Sequence, residues 1–256
     1  NISDLKENVY SSSVFSCRKN ETVFYSKGKC ISGGFDVVFV NHPSFAEKEA
    51  VYTYTENEEK IDPNHKRGTG HSDTLFIDSL FAKAVAEYSR FVSKDKIPDV
   101  ILCQDASTAT IPLYAKSKTN LSDTKNVVTI HNAGPAYHHY FKNIDEAVLY
   151  TGFDKSFFTD CLNSDKVEPF LIAEKYGAVL TTVSEDYAKE ITNPHFENET
   201  EGLSKCFFEK KIKITGITNG IDYELYNPTN PEISKLPFAF NPEKNDLSGK
   251  YECRKY

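Results

Sequence analysis

Three short stretches gather side chains that could grip a polyol and steady a developing charge. They are Gln104-Asp105 with Ser107, His131-Asn132, and Asn219-Gly220 with Asp222. An acid, an imidazole and two amides facing one crevice would suit sugar hydroxyls. The clearest case is VVTIHNAG (127–134), an apolar run that closes on His131, Asn132 and Gly134. Those residues alone leave two readings open. Asn and Gly are ordinary turn formers, and polar residues collect at every strand end because loops lie there. The same polar close also marks a ligand site at the carboxyl end of a parallel strand.

The elements that would position these groups alternate along the chain. FDVVFV (35–40), PDVILC (98–103), NVVTIH (126–131), AVLTTV (178–183) and KIKITGI (211–217) read as buried strands. Between them, apolar residues at three- and four-residue steps predict a helix from Asp73 to Val92, with Ser72 or Asp73 as N-cap. TATIPLYAKS predicts a short helix, and VEPFLIAEKYG a helix ending at Gly177. Ser184 should cap the next, with Glu185 and Asp186 at the positive end of its dipole. Residues 41–71 read as a long loop and ENEEK (56–60) as a wet surface. Strands separated by helices call for a mainly parallel, doubly wound α/β sheet with helices on both faces. After Asp222 four prolines stud a segment of little periodicity, read as a linker or docked tail.

Composition narrows the partners. A chain with 39% hydrophobic and 26% charged residues has the profile of a folded domain rather than a disordered one. Its formal charge of -7 and pI near 5.6 would repel a phosphate backbone, so nucleic acid is not an expected partner. No apolar run approaches the ~18–20 residues that cross a bilayer, and no leader stands at the start. The absence of Met, position 1 included, suggests a processed or trimmed chain. No metal or cofactor is expected, because CxxC, Asp-x-Asp and P-loop patterns are missing and the adjacent His138 and His139 read as a solvated loop. The even set Cys17, Cys30, Cys103, Cys161, Cys206 and Cys253 permits disulfides, a local Cys17–Cys30 bridge first among them. Sequons start at Asn1, Asn20, Asn120 and Asn198. Cysteines and sequons together favour a secreted or surface glycoprotein, with cytoplasm or plastid as the alternative.

PDVILCQDASTATIPLYA, VVTIHNAG, AEKYGAVLTTVSEDYAKEI and ITGITNGIDYELYNPTN, in this order and spacing, resemble the starch and bacterial glycogen synthases. These are retaining glucosyltransferases of the two-domain GT-B architecture. The resemblance implies that residues 35–226 form one Rossmann-like half of that fold, after an N-terminal extension (1–34) and before a linker or tail (227–256). It also implies roles. Asp105 stands at the aspartate of the family's His-Asp-Trp motif, His131 at the histidine of Thr-(Ile/Val)-His-Asn, and Asn219 at the asparagine of Asn-Gly-(Ile/Val)-Asp, all in the active site. Gln104, Asn132, Gly220 and Asp222 flank them as substrate-binding candidates.

The departures point the other way. Gln104 and Ala106 replace the family's histidine and tryptophan, the family's early Lys-x-Gly-Gly-Leu loop has no counterpart, and the nucleotide-binding second domain is missing. KGKCISGGF (27–35) is a chance echo of that loop. The resulting expectation is a degenerate glycosyltransferase domain that binds a carbohydrate or protein partner and does not turn over alone. The alternative is the acceptor-side half of an enzyme that extends an α-1,4-glucan from ADP-glucose or UDP-glucose, with a second domain or subunit closing on the cleft.

Overall fold

The first forty positions build an antiparallel sheet. In the computed structural model, which describes residues 1–117 and 119–256, β1 (Ile2–Ser16) pairs with β2 (Lys19–Cys30), and β2 pairs with β3 (Asp36–Asn41). Cys17 and Arg18 form the hairpin turn, with φ of 49° and 64°. Two positive φ values match the twist that a two-residue hairpin needs. This turn overturns the expected Cys17–Cys30 bridge. Cys17 sits at the tip while Cys30 pairs with Ile2 at the far end of a 12-residue strand, about 40 Å away at roughly 3.3 Å per residue. All six cysteines are free thiols. Burial pushes the Cys103 and Cys161 thiols up to about 12, so neither is a ready nucleophile.

The segment 41–71 is not a bare loop. It holds the helices Pro43–Ala46 and Glu56–Ile61. The second begins at a capping box, in which the Thr55 side chain accepts the Glu58 N–H and the Glu58 carboxylate accepts the Thr55 N–H. Glu58 is therefore buried rather than a wet surface charge. The long helix falls at Thr74–Tyr88, and its two flanks serve two cores. Leu80 and Ala84 pack with Val14, Val23 and Tyr25 of the hairpin, whereas Ala82 and Ala86 join the larger core. Asp73 is its N-cap residue but makes no side-chain capping bond; its carboxylate instead pairs with Lys48 at 2.9 Å.

The larger core lies on a parallel sheet. Its strands are β4 (Val100–Gln104), β5 (Lys125–Ile130), β8 (Ala178–Thr182) and β9 (Ile214–Gly216), in the order β4-β5-β8-β9. A small hairpin of β6 (Leu162–Asn163) and β7 (Lys166–Val167) intervenes. The helix Pro169–Lys175 runs into Gly177, whose φ of +82° ends it as expected. Ser184 accepts the Tyr187 N–H at 3.0 Å and caps the helix Glu185–Glu190. Only Ile214–Gly216 of the predicted KIKITGI strand pairs in the sheet.

Period-two alternation separates the faces of this sheet sharply. Cys103, Val128, Ile130 and Leu180 are buried, while Val100, Leu102 and Val179 are exposed. One substitution made on each face should therefore differ in cost. Leu180→Ala, at a residue 1% exposed, is expected to lose about 2–5 kcal/mol. Leu102→Ala, at a residue 61% exposed, should stay within about 0.5 kcal/mol. Urea unfolding of the two variants measures both, and equal losses would contradict this assignment of the faces.

Residues Thr218–Tyr256 form a unit of their own. It contains the short helices Pro231–Ser234 and Ser248–Cys253. Inside it Gly249 lies so close to Ala239 that a Cβ would meet the Ala239 carbonyl oxygen at 1.9 Å, so only glycine fits there. Among the described residues no helix is long and apolar enough to cross a membrane.

Candidate functional site

The polar groups foreseen at the ends of β4 and β5 do meet. Parallel pairing sets Gln104 beside Thr129 and so brings the two carboxyl ends level. Directly after β4 the backbone turns sharply, and Asp105 takes a φ of +56°. Such a conformation is strained for any residue with a Cβ and is found where surrounding structure enforces it. Here Thr108 enforces it. Its hydroxyl accepts the Gln104 N–H and donates to the Gln104 carbonyl, both at 2.7 Å.

The turn aims the Asp105 carboxylate at the next strand end, where Oδ1 accepts the His131 backbone N–H at 2.7 Å. The His131 ring is held by Gln104, whose Oε1 lies 2.7 Å from Nε2. Acceptance by an amide oxygen makes Nε2 the protonated nitrogen and leaves Nδ1 as the acceptor in the neutral ring. Asn132 does turn chemistry instead. Its Oδ1 accepts the Gly134 N–H at 2.7 Å, an Asx-turn of the ordinary kind. The turn reading of VVTIHNAG thus holds for Asn132, while His131 closes the strand against Asp105 and Gln104.

Asn219, Gly220 and Asp222 belong to the second unit, where all three are exposed. The Asp222 carboxylate is occupied locally and accepts the N–H groups of Glu224 and Leu225 at 3.0 and 2.9 Å. The candidate glycan sites Asn20, Asn120 and Asn198 are exposed as well.

Gln104, Asp105, Ser107 and Thr108 line one side of a cavity of about 820 Å³. This is the size of space that holds a small organic ligand. The rest of the wall was not foreseen. It comes from Tyr52 and His71, from Asp78 on the helix Thr74–Tyr88, and from Tyr137, His139 and Tyr140 after β5.

The expected solvated loop at His138-His139 is overturned. The segment is not extended, since His138 has helical backbone (φ -77°, ψ -34°) and His139 a left-handed one (φ +47°), and both rings have partners. His138 is completely buried. Its Nε2 lies 2.9 Å from the Ala133 carbonyl and its Nδ1 3.2 Å from a buried Glu168 oxygen. His139 places Nδ1 2.7 Å from Asp78. The sequence signal was the His-His pair, but its partners lie far along the chain. Among the described residues no cluster of three or more His, Cys, Asp or Glu side chains is arranged to hold a metal ion.

This arrangement has relatives. Residues 2–205 match the starch synthase catalytic domain family. A glycogen synthase of Thermodesulfovibrio yellowstonii is 34% identical over 194 residues, 71% of this chain and 37% of that protein. One from Geotalea daltonii is 36% identical over 190 residues, 70% of this chain and 37% of that protein. In structure, the catalytic domain of starch synthase IV from Arabidopsis thaliana, bound to ADP and acarbose, superposes with a TM-score of 0.67 at 26% identity. The match covers 98% of this chain and 47% of that one. The chain thus spans less than half the length of these relatives. It belongs to the starch and glycogen synthase family.

Proposed function

We propose that this chain forms the acceptor-side wall of the active-site cleft in a retaining glucosyltransferase that extends an α-1,4-glucan from a nucleotide sugar. One observation carries the reading: Asp105 and His131, from adjacent strand ends, are locked together at 2.7 Å, with Asp105 on the wall of a cavity rich in tyrosine. A carboxylate fixed at such a rim can accept hydroxyl protons and stabilise positive charge, and tyrosine rings offer flat apolar faces with polar tips. These are the demands of a sugar ring.

In this reading the backbone strain at Asp105 is a cost of holding the acid in position. Gln104 then acts as the positioning residue for the His131 ring. The nucleotide would be bound by the remainder of a two-domain enzyme, and closure of the two halves would complete the site.

A second reading, a binding module that no longer turns over, is favoured by Gln104 and Ala106. Ala106 is packed into the core, so no aromatic side chain at that position reaches the ligand. Free thiols remove the disulfide argument for secretion, and that location now rests on exposed sequons alone.

Calorimetric titration of the chain with maltoheptaose tests the site common to both readings. The expected result is saturable binding, weakened about tenfold by His131→Ala. Absence of binding by the unaltered chain would overturn the glucan site in both and leave a protein partner for the second.

A further inference from the structure

We propose that His139, braced from behind by Asp78, is a ligand-binding residue of the cavity that hydrogen-bonds a sugar hydroxyl through Nε2. The inference rests on the reading of this cavity as a glucan site and extends it to a residue outside the Asp105–His131 pair.

The first support is conformational. His139 has a φ of +47°, a region that glycine enters freely and that strains a residue carrying a Cβ. Glycine would be the relaxed choice here, so the imidazole brings a benefit that the backbone does not. The second support is the surrounding anchor. His138 is fixed between the Ala133 carbonyl and Glu168, so the chain cannot relax the strain by shifting at the preceding residue.

The third support is the ring's own wiring. Nδ1 meets Asp78 at 2.7 Å, and the two side chains are only 24% and 18% exposed. His139 and Asp78 both line the cavity, together with Asp105. Among the described residues Nε2 has no hydrogen-bond partner. Burial works against charge on this ring, but the Asp78 carboxylate, with Asp105 adding to it, outweighs burial and holds the imidazole above its ordinary pKa. In the charged ring Nε2 donates, and in the neutral ring bonded through Nδ1–H it accepts. A hydroxyl can meet either state.

Charge selects the ligand class. Asp78 and Asp105 face the same space as the imidazoles of His71 and His139, so an anion would meet at least as much negative as positive charge. A neutral polyol fits this field better than a phosphate.

The test separates binding from folding. Maltoheptaose is titrated into the whole chain and into His139→Gly, His139→Gln, Asp78→Asn and Asp78→Leu, with the Tm of each recorded. His139→Gly should lose about five- to tenfold in affinity, while its Tm stays within about 2 °C because relief of the left-handed strain offsets the lost Asp78 contact. His139→Gln, which keeps a donor, should recover most of the affinity. Asp78→Asn, which can still accept from Nδ1–H, should bind better than Asp78→Leu. If the unaltered chain binds maltoheptaose and His139→Gly binds it equally well, the inference fails and the glucan reading stands. A fall in Tm that carries affinity down equally in every variant would make His139 structural and also overturn the inference. If the unaltered chain binds no maltoheptaose, both fail together.

Discussion

Glu168→Leu should destabilise the chain by about 3–5 kcal/mol, the cost of removing one member of a buried ion pair. Glu168 and His138 are both wholly buried, with Nδ1 3.2 Å from Oε2. The approach is close but poorly aligned for a hydrogen bond, so charge rather than geometry carries the attraction. Burial alone would lower the His138 pKa, and the carboxylate outweighs it, leaving the imidazole above its ordinary value. Burial also drives the Glu168 pKa upward. Both directions mean that the folded pair keeps a proton that the unfolded chain would give up.

The sign for pH follows from the raised histidine. Its contribution to stability is complete below the unfolded imidazole value of about 6.5 and is lost as pH rises through the folded value. The difference between the native chain and Glu168→Leu should therefore be largest near pH 6 and shrink towards pH 9. Adding His138→Leu to Glu168→Leu removes the orphaned ring and should restore much of the loss. Urea unfolding at several pH values measures all of this, and a pH-independent loss below about 1 kcal/mol would refute the pairing. The effect should reach function too, because His138 holds the Ala133 carbonyl and so the turn that carries Asn132 and, further on, His139.

Asp105→Ala is expected to act on chemistry instead. In the chain joined to the nucleotide-binding half of a glycogen synthase, glucosyl transfer should fall about 100- to 1000-fold, the usual loss when one preorganised charge-stabilising group is removed. Stability should change by less than about 1 kcal/mol, since the Asp105–His131 bond lies among exposed atoms and alanine, which also carries a Cβ, leaves the strain at +56° nearly as it was. Asp105→Asn separates charge from hydrogen bonding. It can still accept the His131 N–H, and so should keep the turn while losing most of the transfer rate. Equal transfer by Asp105→Asn and the unaltered chain would show that the negative charge is not used.

The parallel sheet was legible because β4, β5 and β8 are apolar runs rich in β-branched residues, bounded by turn formers. That pattern also placed Asp105 and His131 at neighbouring strand ends. The N-terminal hairpin was harder to see. Apolar and polar residues do not segregate between its faces, with Leu5, Val9, Phe15 and Phe24 exposed and Ser16 and Ser26 buried beside Val14, Val23 and Tyr25. The helix Glu56–Ile61 carried a readable signal in Thr55-x-x-Glu58, but the surrounding prolines and glycines masked it. His139 with Asp78 and His138 with Glu168 had no local signal at all. The first pair is 61 residues apart, and each exists only once the helix Thr74–Tyr88 and the β6–β7 hairpin have packed around the segment after β5. Sequence thus showed the groups attached to strand ends, and folding added the wall facing them.

Transfer of radiolabelled glucose from ADP-glucose or UDP-glucose to maltoheptaose, by this chain joined to the nucleotide-binding half of a glycogen synthase, tests the central claim most directly. The expected result is elongated glucan, abolished by Asp105→Ala and absent with either half alone. A fusion that folds, binds nucleotide and maltoheptaose, and still transfers no glucose would contradict the enzyme reading and leave a binding module in its place.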